Sequence, residues 1–253
     1  MIHFVGAGCG APDLITVRGA KLLEEADCVV YAGSLVSREL LDYCREGIEI
    51  YNSAEMTLEE VMEILVSRAK ANKNVVRLHT GDPSLYGAIG EQIEVLQKEN
   101  IAFDVTPGVT AAFGAAAAIR SELTLPGITQ TIIFTRAEGK TPMPSGESIR
   151  ELASHKASMA VYLSATRVEE LRQQLIDGGY DINTPVAICY KVSWPDEKII
   201  FSTVDKMADD THENELRLTT LFLISNTINA ENFDKSRLYA SDFSTCFREA
   251  KKQ

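Results

Sequence analysis

The chain has 253 residues and a formal net charge of −11, with 45% hydrophobic and 24% charged residues. This composition is typical of a globular protein with one large or two modest domains, and it excludes an intrinsically disordered chain. The negative charge argues against nucleic acid and anionic membranes as partners, because both require a basic surface. An acidic ligand must therefore be held by a local cluster of Arg and Lys.

The chain shows no membrane segment and no metal motif. Its longest apolar runs, such as TTLFLIS, are about eight residues, too short to span a bilayer. The N-terminal MIHFVGAG lacks the basic region of a signal peptide, so we expect a cytoplasmic protein. The five cysteines and four histidines are scattered, without a CxxC pair or an HExxH motif. This pattern predicts reduced structural thiols and no bound metal.

The first half of the chain alternates short apolar runs with helical patterns. The predicted strands are IHFVGA (2–7), CVVYAG (28–33), IEIY (48–51), NVVRL (74–78) and AFDV (102–105). The predicted helices are 16–26, 37–44, one from Thr57 that opens with a capping box to Glu60, one across Ser84–Lys98, and AAFGAAAAI. Short apolar strands between helices indicate an α/β fold with a mainly parallel sheet.

The sequence changes character at LTLPGITQ (123–130), so we predict two α/β domains, 1–118 and 119–253. The predicted strands of the second are TIIFT, MAVYLS, PVAICYK, KIIFST and LTTLFLIS, and its helices are SIRELAS and VEELRQQLID. The adjacent runs PVAICYK and KIIFST suggest a hairpin, which makes this sheet mixed. The polar C-terminal end is predicted to be a peripheral appendage.

Three turns rich in glycine follow strands one, four and five of the first domain. They are GAGCGA (6–11), TGDPSLYG (80–87) and TPGVT (106–110). In a parallel sheet all three lie at the carboxyl edge, where α/β sheets bind ligands, so together they predict a pocket. Taken singly, each is better explained as a scaffold turn, with Ser84 as a helix N-cap in the second of them. The glycines make room either for packed backbone or for a ligand.

The opening GAGCGA also matches the G-x-G-x-x-A pattern of dinucleotide-binding folds. Two features count against that interpretation. Pro12 and Asp13 lengthen the turn, and the second strand ends in Tyr31-Ala32-Gly33, where a ribose-binding acid belongs. The nearby Asp27 precedes that strand instead of ending it. A nicotinamide-dependent enzyme is therefore disfavoured.

Five segments together resemble a known family, the tetrapyrrole (class III) S-adenosylmethionine-dependent methyltransferases of cobalamin and sirohaem synthesis. They are FVGAGCGAPDLITVRGAKLL, ADCVVYAGSLV, TGDPSLYG, TPGVTAAFGA and PVAICYK, in the family's order. YAGSLV, GEQ, LTLPGITQTIIFTRAEGKTPMP and YKVSWPDEKII are similar to the branch that methylates C11 of precorrin-4 or cobalt-precorrin-4. The alternative is methylation of uroporphyrinogen III. The enzymes of that branch carry an arginine in the segment FGRGGE, where this chain has YGAIGEQ. Cys9 and Ala11 depart from the family's usual Pro and Asp, and Thr106 from its Val or Ile.

The resemblance implies an enzyme with its active site in a cleft between two domains, a tetrapyrrole substrate and a homodimer. The small-residue stretch AAFGAAAAI offers a face for close packing against a second copy. The resemblance also implies that S-adenosyl-L-methionine, the methyl donor, is bound by nine residues: Pro12, Thr80, Gly81, Asp82, Leu85, Thr110, Ala111, Leu163 and Ala187. The donor's carboxylate suits backbone N–H groups of the helix predicted after Ser84, and its ammonium suits an acid such as Asp82.

The carboxylates of a tetrapyrrole need cationic partners. We expect Arg136 to be the main one, because it ends a predicted strand beside a long Gly/Pro loop. Arg18 and Lys140 are further candidates, and Tyr86 offers a flat face. Arg120, Lys191, Tyr31 and Tyr190 are alternatives on the same grounds. For each of them, a solvated charge or a half-buried core tyrosine is an equal alternative. No general base stands out. A non-catalytic S-adenosylmethionine-binding module is disfavoured, because it does not need the FTRAEGKTPMP segment.

Overall fold

The computed structural model describes residues 1–250, with the side chain of Ser34 left aside. The chain divides into two compact units. Unit 1 consists of Met1–Ala118 together with Tyr190–Lys198, and unit 2 consists of Ile119–Cys189 and the chain from Ile199 onward. No helix within residues 1–250 is both long enough and apolar enough to cross a membrane.

Unit 1 is built on a five-stranded parallel sheet. Its strands are β1 (Ile2–Gly6), β2 (Cys28–Tyr31), β3 (Glu49–Asn52), β4 (Val75–His79) and β5 (Phe103–Thr106). Its helices are α1 (Val17–Glu24), α2 (Leu58–Lys70), α3 (Ile89–Lys98) and α4 (Ala111–Ala118). The strand order is β3-β2-β4-β1-β5, and each recorded pairing is parallel. The parallel sheet predicted from the sequence is confirmed.

Both faces of this sheet are covered, which explains why its strands are apolar throughout. Val5 and Leu78 point to one face and pack with Leu23 of α1. Phe4 and Val75 point to the other face, where α2 and α3 pack against them. Alternate residues of a strand face opposite sides of the sheet, so burial on both sides requires a continuous apolar run.

The helices predicted from local sequence patterns in this unit are partly right and partly wrong. Thr57 and Glu60 form the predicted capping box at the start of α2. The segment predicted as a helix at 37–44 is a 3₁₀ helix, Arg38–Tyr43. The predicted helix across Ser84–Lys98 is wrong at its start, because α3 begins only at Ile89. Tyr86 and Ala88 have left-handed backbone angles, which interrupt a right-handed helix.

Unit 2 contains a second five-stranded sheet, which is mixed. Its strands are β6 (Ile132–Arg136), β7 (Ser158–Tyr162), β8 (Pro185–Tyr190), β9 (Lys198–Thr203) and β10 (Thr220–Ile224). Its helices are α5 (Ile149–Ala153), α6 (Val168–Asp177) and α7 (Met207–Glu213), of which α7 was not predicted. The order is β6-β7-β10-β8-β9, with β6 parallel and β10 antiparallel to β7. The predicted mixed sheet is confirmed.

Candidate functional site

The three glycine-rich turns meet at the carboxyl edge of the unit 1 sheet. β4, β1 and β5 are neighbours in that order, so the chain leaves all three strands on the same side. The first two turns are bonded to each other through backbone groups. Gly81 N donates to Gly8 O at 2.8 Å, and Ala7 N donates to His79 O at 2.7 Å. The turns therefore form one continuous surface.

Two of the glycines are required by backbone packing. A Cβ atom on Gly108 would lie 2.1 Å from Gly81 O, and one on Gly6 would lie 2.5 Å from Gly108 Cα. Neighbouring backbone cannot move aside as a flexible side chain can, so only glycine fits at these two positions. Of the two explanations left open by the sequence, packed backbone applies to Gly6 and Gly108.

Asp82 joins the second turn to the third. Its Oδ2 accepts a hydrogen bond from Gly108 N at 2.9 Å. Its Oδ1 accepts one from Ser84 N at 2.8 Å and another from the Ser84 hydroxyl. Partial burial opposes ionisation of this carboxyl, but the donors from Ser84 and Gly108 outweigh it and hold the pKa of Asp82 below its usual value. Asp82 is therefore an anion at neutral pH.

A segment from the second half of the chain supports the first turn. Trp194 Nε1 donates to Cys9 O at 3.1 Å, and Ala11 N donates to Ser193 Oγ at 3.0 Å. Gly10 packs so closely on the Trp194 ring that a Cβ would lie 2.4 Å from it. We did not predict this contact; the only signal in the sequence was that YKVSWPDEKII belongs to the resemblance.

Helix α4 packs against the same place with its small residues. A Cβ on Gly114 would lie 2.6 Å from Cys9 Sγ and 2.9 Å from Val192 Cγ1. Ala112 and Ala115 are completely buried. The buried small residues of α4 are thus used for packing within unit 1, whereas Ala117 and Ala118 are exposed.

Two consecutive residues at the end of β4 carry buried polar atoms that have no hydrogen-bond partner among the residues described. They are His79 Nε2 and Thr80 Oγ1. Unpartnered buried polar atoms are rare in folded proteins and call for a ligand, a water or a special role. The Thr80 hydroxyl lies in the turn that the resemblance assigns to the cofactor, so the residues present fit a polar ligand there.

The remaining predicted cofactor residues are divided between the two units. In unit 1, Pro12 begins a 3₁₀ helix, Leu85 is half-buried in the second turn, and Thr110 and Ala111 mark the start of α4. In unit 2, Leu163 follows β7 with a left-handed φ of 54° and an exposure of 69%. Ala187 is completely buried in β8, so its side chain faces no open surface.

Arg136, the predicted main cation, lies at the end of β6 in unit 2. Its guanidinium donates to Thr141 O through both terminal nitrogens and to Ala137 O through one, each at 3.2 Å. It takes part in none of the ion pairs recorded for residues 1–250, so its charge is not neutralised by Glu138. Arg136 thus braces the loop that follows it while keeping its positive charge.

The other candidates for the substrate are spread over the surface. Lys140 is exposed in the loop braced by Arg136, and Arg18 is exposed on α1. Tyr86 is 44% exposed at the tip of the second turn. Of the alternatives, Lys191 pairs with Asp196 at 2.5 Å, which leaves its charge matched. Tyr31 is buried and belongs to the core.

No metal centre is formed by the part of the chain that the structure describes. Across residues 1–250, no three His, Cys, Asp or Glu side chains come together in a way that could hold an ion. The cysteines are free thiols, and burial raises the pKa of Cys28 to about 11 and that of Cys9 above its usual value. These thiols stay protonated at neutral pH.

Comparison with known proteins identifies the class. The family model of the tetrapyrrole (corrin/porphyrin) methylases matches residues 1–208, and the chain belongs to this family. A cobalt-precorrin-4 C(11)-methyltransferase from Methanocaldococcus jannaschii is 45% identical over 252 residues, which cover 100% of this chain and 97% of the relative. A precorrin-4 C(11)-methyltransferase from Pseudomonas aeruginosa is 39% identical over 247 residues, which cover 98% of this chain and 98% of the relative.

Solved structures give the same result. An X-ray structure of a cobalt precorrin-4 methyltransferase, described as a cobalamin biosynthetic enzyme, superimposes with a TM-score of 0.88 at 45% identity, covering 90% of this chain and 95% of the other. A uroporphyrin-III C-methyl transferase from Thermus thermophilus, complexed with S-adenosyl homocysteine, gives 0.75 at 26% identity, with coverage of 90% and 93%. The predicted family and two-domain α/β fold are confirmed.

Proposed function

We propose that this chain is an S-adenosylmethionine-dependent C-methyltransferase of corrin-ring biosynthesis, which methylates C11 of precorrin-4 or cobalt-precorrin-4. The observation that carries the proposal is the 45% identity to the Methanocaldococcus jannaschii relative over the whole chain. Relatives named for the cobalt-containing and for the cobalt-free substrate both match at full length. The proposal therefore covers both forms of the substrate.

The proposed site for the methyl donor is the surface formed by the three turns. The donor, when bound, supplies a methyl group already activated on a sulfonium. The Thr80 hydroxyl, buried and without a partner in the described part of the chain, would bond to it. Asp82 accepts three hydrogen bonds, and a carboxylate has about four acceptor sites, so it retains one position and its charge for an ammonium group.

The helix originally expected to bind the donor's carboxylate does not begin at Ser84. We propose the start of α4, at Thr110 and Ala111, instead, because its positive dipole end suits an anion. Pro12, Gly81 and Leu85 would complete the unit 1 contribution. In unit 2, the exposed Leu163 side chain suits an adenine ring, whereas Ala187 would contribute only through its backbone.

The tetrapyrrole carboxylates would be bound by Arg136, which keeps an unneutralised charge, with Lys140, Arg18 and Tyr86 as further contacts. The chain needs no covalent nucleophile for this chemistry. Holding two reactants in line can lower a barrier by ~7–11 kcal/mol. Positioning by rigid turns is therefore the main task of the residues described here, and we assign no general base.

The test is label transfer from radiolabelled S-adenosylmethionine. We would offer the purified chain precorrin-4, cobalt-precorrin-4 and uroporphyrinogen III in parallel, and locate the new methyl group by NMR. We expect label at C11 of either precorrin-4 form. Label in uroporphyrinogen III alone would favour that activity instead. Tight S-adenosylhomocysteine binding without transfer to any of the three would favour a non-catalytic binding module.

We also propose a cytoplasmic homodimer without resident metal, bound neither to nucleic acid nor to membranes. The net charge of −11 supports the exclusion of polyanionic partners. The free thiols support a reducing compartment. The homodimer rests on the family resemblance. Light scattering should return twice 27.8 kDa, and a value of 27.8 kDa at micromolar concentration would contradict it.

A further inference from the structure

Two buried polar side chains form a hydrogen-bonded chain behind the second turn. Arg77 of β4 is 7% exposed and Gln92 of α3 is 4% exposed. Arg77 Nε donates to Gln92 Oε1 at 3.3 Å, and Gln92 Nε2 donates to Ala88 O at 3.0 Å. Arg77 Nη1 donates to Val30 O at 3.2 Å. This series of hydrogen bonds thus connects the end of the second turn to the centre of the unit 1 sheet.

The buried arginine is unusual because no acid within residues 1–250 forms an ion pair with it. Arg77 appears in none of the ion pairs recorded for residues 1–250. Burial lowers the pKa of Arg77 to about 10, which still leaves it charged at neutral pH. Burying an unpaired charge is costly, and apolar residues of similar size fill a core at lower cost. Arg77 and Gln92 therefore call for an explanation beyond core packing.

The segment before Gln92, residues 84–88, has a strained backbone. Tyr86 has φ 57° and Ala88 has φ 50°, a region that residues with a Cβ seldom adopt. Gly87 between them lies so close to Pro83 O that a Cβ would be 2.2 Å away. Ala88 is the N-cap of α3, and it has no side chain to accept the orphan N–H groups of the first turn. Such conformations persist only where the surroundings enforce them.

We propose that Gln92, held in place by Arg77, is a positioning residue for the tetrapyrrole. Its amide fixes the carbonyl of Ala88 and with it the left-handed turn, so that Tyr86 is presented in one direction. The inference rests on the proposed function, because Tyr86 meets a tetrapyrrole only if that is the substrate. Gln92 itself touches no reacting atom. Its effect passes through Ala88.

Two substitutions of Gln92 separate positioning from simple core packing. Gln92→Leu removes both hydrogen bonds. Gln92→Glu keeps an acceptor for Arg77 but loses the donor to Ala88 O. Compared with Gln92→Leu, it should therefore recover the melting temperature without recovering the conformation of the turn. Gln97→Leu, on the same helix with an exposed side chain, is the matched control.

We expect both Gln92 variants to raise KM for precorrin-4 about five- to tenfold, the effect of one lost hydrogen bond. The Kd for S-adenosylhomocysteine should change less than this KM, since only Leu85 of the proposed donor residues lies within 84–88. In the unliganded chain, amide hydrogen exchange at 84–88 should be faster in both variants than in the wild type and in Gln97→Leu.

The proposal is overturned if Gln92→Glu recovers KM together with the melting temperature, or if exchange at 84–88 is unchanged in both variants. If Gln92→Leu does not fold, Gln92→Glu decides alone. If the wild-type chain methylates none of the tetrapyrroles offered, the proposed function fails, and that failure is visible without any variant. The exchange measurement needs no substrate and still reports whether Gln92 holds the turn.

Discussion

The carboxylate of Asp82 accepts the backbone N–H of Gly108 at 2.9 Å, although the strands that precede these residues, β4 and β5, are not neighbours. β1 lies between them, so the bond passes over the end of β1. Beneath it, Gly6 and Gly108 pack backbone against backbone. Asp82 is therefore a structural tie between two turns as well as a negative charge at the proposed donor site.

Replacement of Asp82 should affect both stability and donor binding. We expect Asp82→Asn to lower the free energy of unfolding by about 1–3 kcal/mol, because one of the two terminal atoms becomes an NH2 donor, which cannot accept from Gly108 N or, with the amide turned over, from Ser84 N. The Kd for S-adenosylhomocysteine should rise as the turns separate. Urea unfolding and calorimetry measure the two effects. Asp42→Asn, an exposed acid of unit 1, is the control. Wild-type values for Asp82→Asn would refute the tie.

Two glycine substitutions should change the free energy of unfolding in opposite directions. Gly108→Ala places a Cβ 2.1 Å from Gly81 O, so the backbone must shift, and we expect a loss of ~3 kcal/mol in unfolding free energy. Gly90→Ala, in α3, meets nothing within 4 Å, and it should stabilise the chain by ~0.5–1 kcal/mol. Urea denaturation compares the pair. Similar effects for both would show that the close packing of Gly108 is not a constraint.

The common edge of the three turns could be predicted from the sequence. Short apolar runs separated by helices require parallel strands, and parallel strands end on the same side. The role of the glycines could not be predicted, because a glycine looks the same whether it faces backbone or ligand. Only the spatial approach of Gly6 to Gly108 distinguishes the two cases.

The start of α3 was predicted wrongly and the contact of Trp194 was not predicted, and both have the same physical cause, which is contact between distant parts of the chain. Ser84 is followed by residues that suit a helix, yet the turn ends only at Ala88, whose carbonyl accepts from Gln92, which in turn accepts from Arg77. Trp194 reaches Cys9 across 185 positions of sequence. Local propensity and spacing contain no information on such contacts, so the start of α3 and the support of the first turn required the structure.

The buried His79 should make stability depend on pH. Burial, reinforced by the charge of Arg77, lowers the pKa of His79 to about 3. The unfolded chain binds this proton near pH 6.5 and the folded chain does not, so the stabilising effect is complete above pH 6.5 and is lost as pH falls toward 3. We expect a slope of up to ~1.4 kcal/mol per pH unit in that window.

His79→Leu should flatten this slope, whatever it does to the absolute stability. His155→Gln, an exposed histidine in unit 2, should leave the slope as in the wild type. Urea unfolding at several pH values between 4 and 7 gives the slopes. Identical slopes for His79→Leu and the wild type would mean that His79 titrates normally in the folded chain.

The last prediction concerns Arg136, whose guanidinium both braces its loop and keeps an unneutralised charge. A chain of charge −11 must attract a polyanionic tetrapyrrole through a few local cations. We expect Arg136→Ala to lower kcat/KM for precorrin-4 about ten- to hundredfold, the effect of one charged hydrogen bond, and to leave the Kd for S-adenosylhomocysteine unchanged. Arg150→Ala, an exposed arginine of unit 2, is the control.

Bracing of the loop alone could also lower activity, and Arg136→Lys with a salt series separates the two roles. Lysine keeps the charge but not the paired bonds to Thr141 O. If the charge attracts the substrate, kcat/KM of the wild type and of Arg136→Lys should fall as ionic strength rises, and Arg136→Ala should respond less. If all three respond equally to salt, Arg136 only orders its loop, and other cations hold the carboxylates.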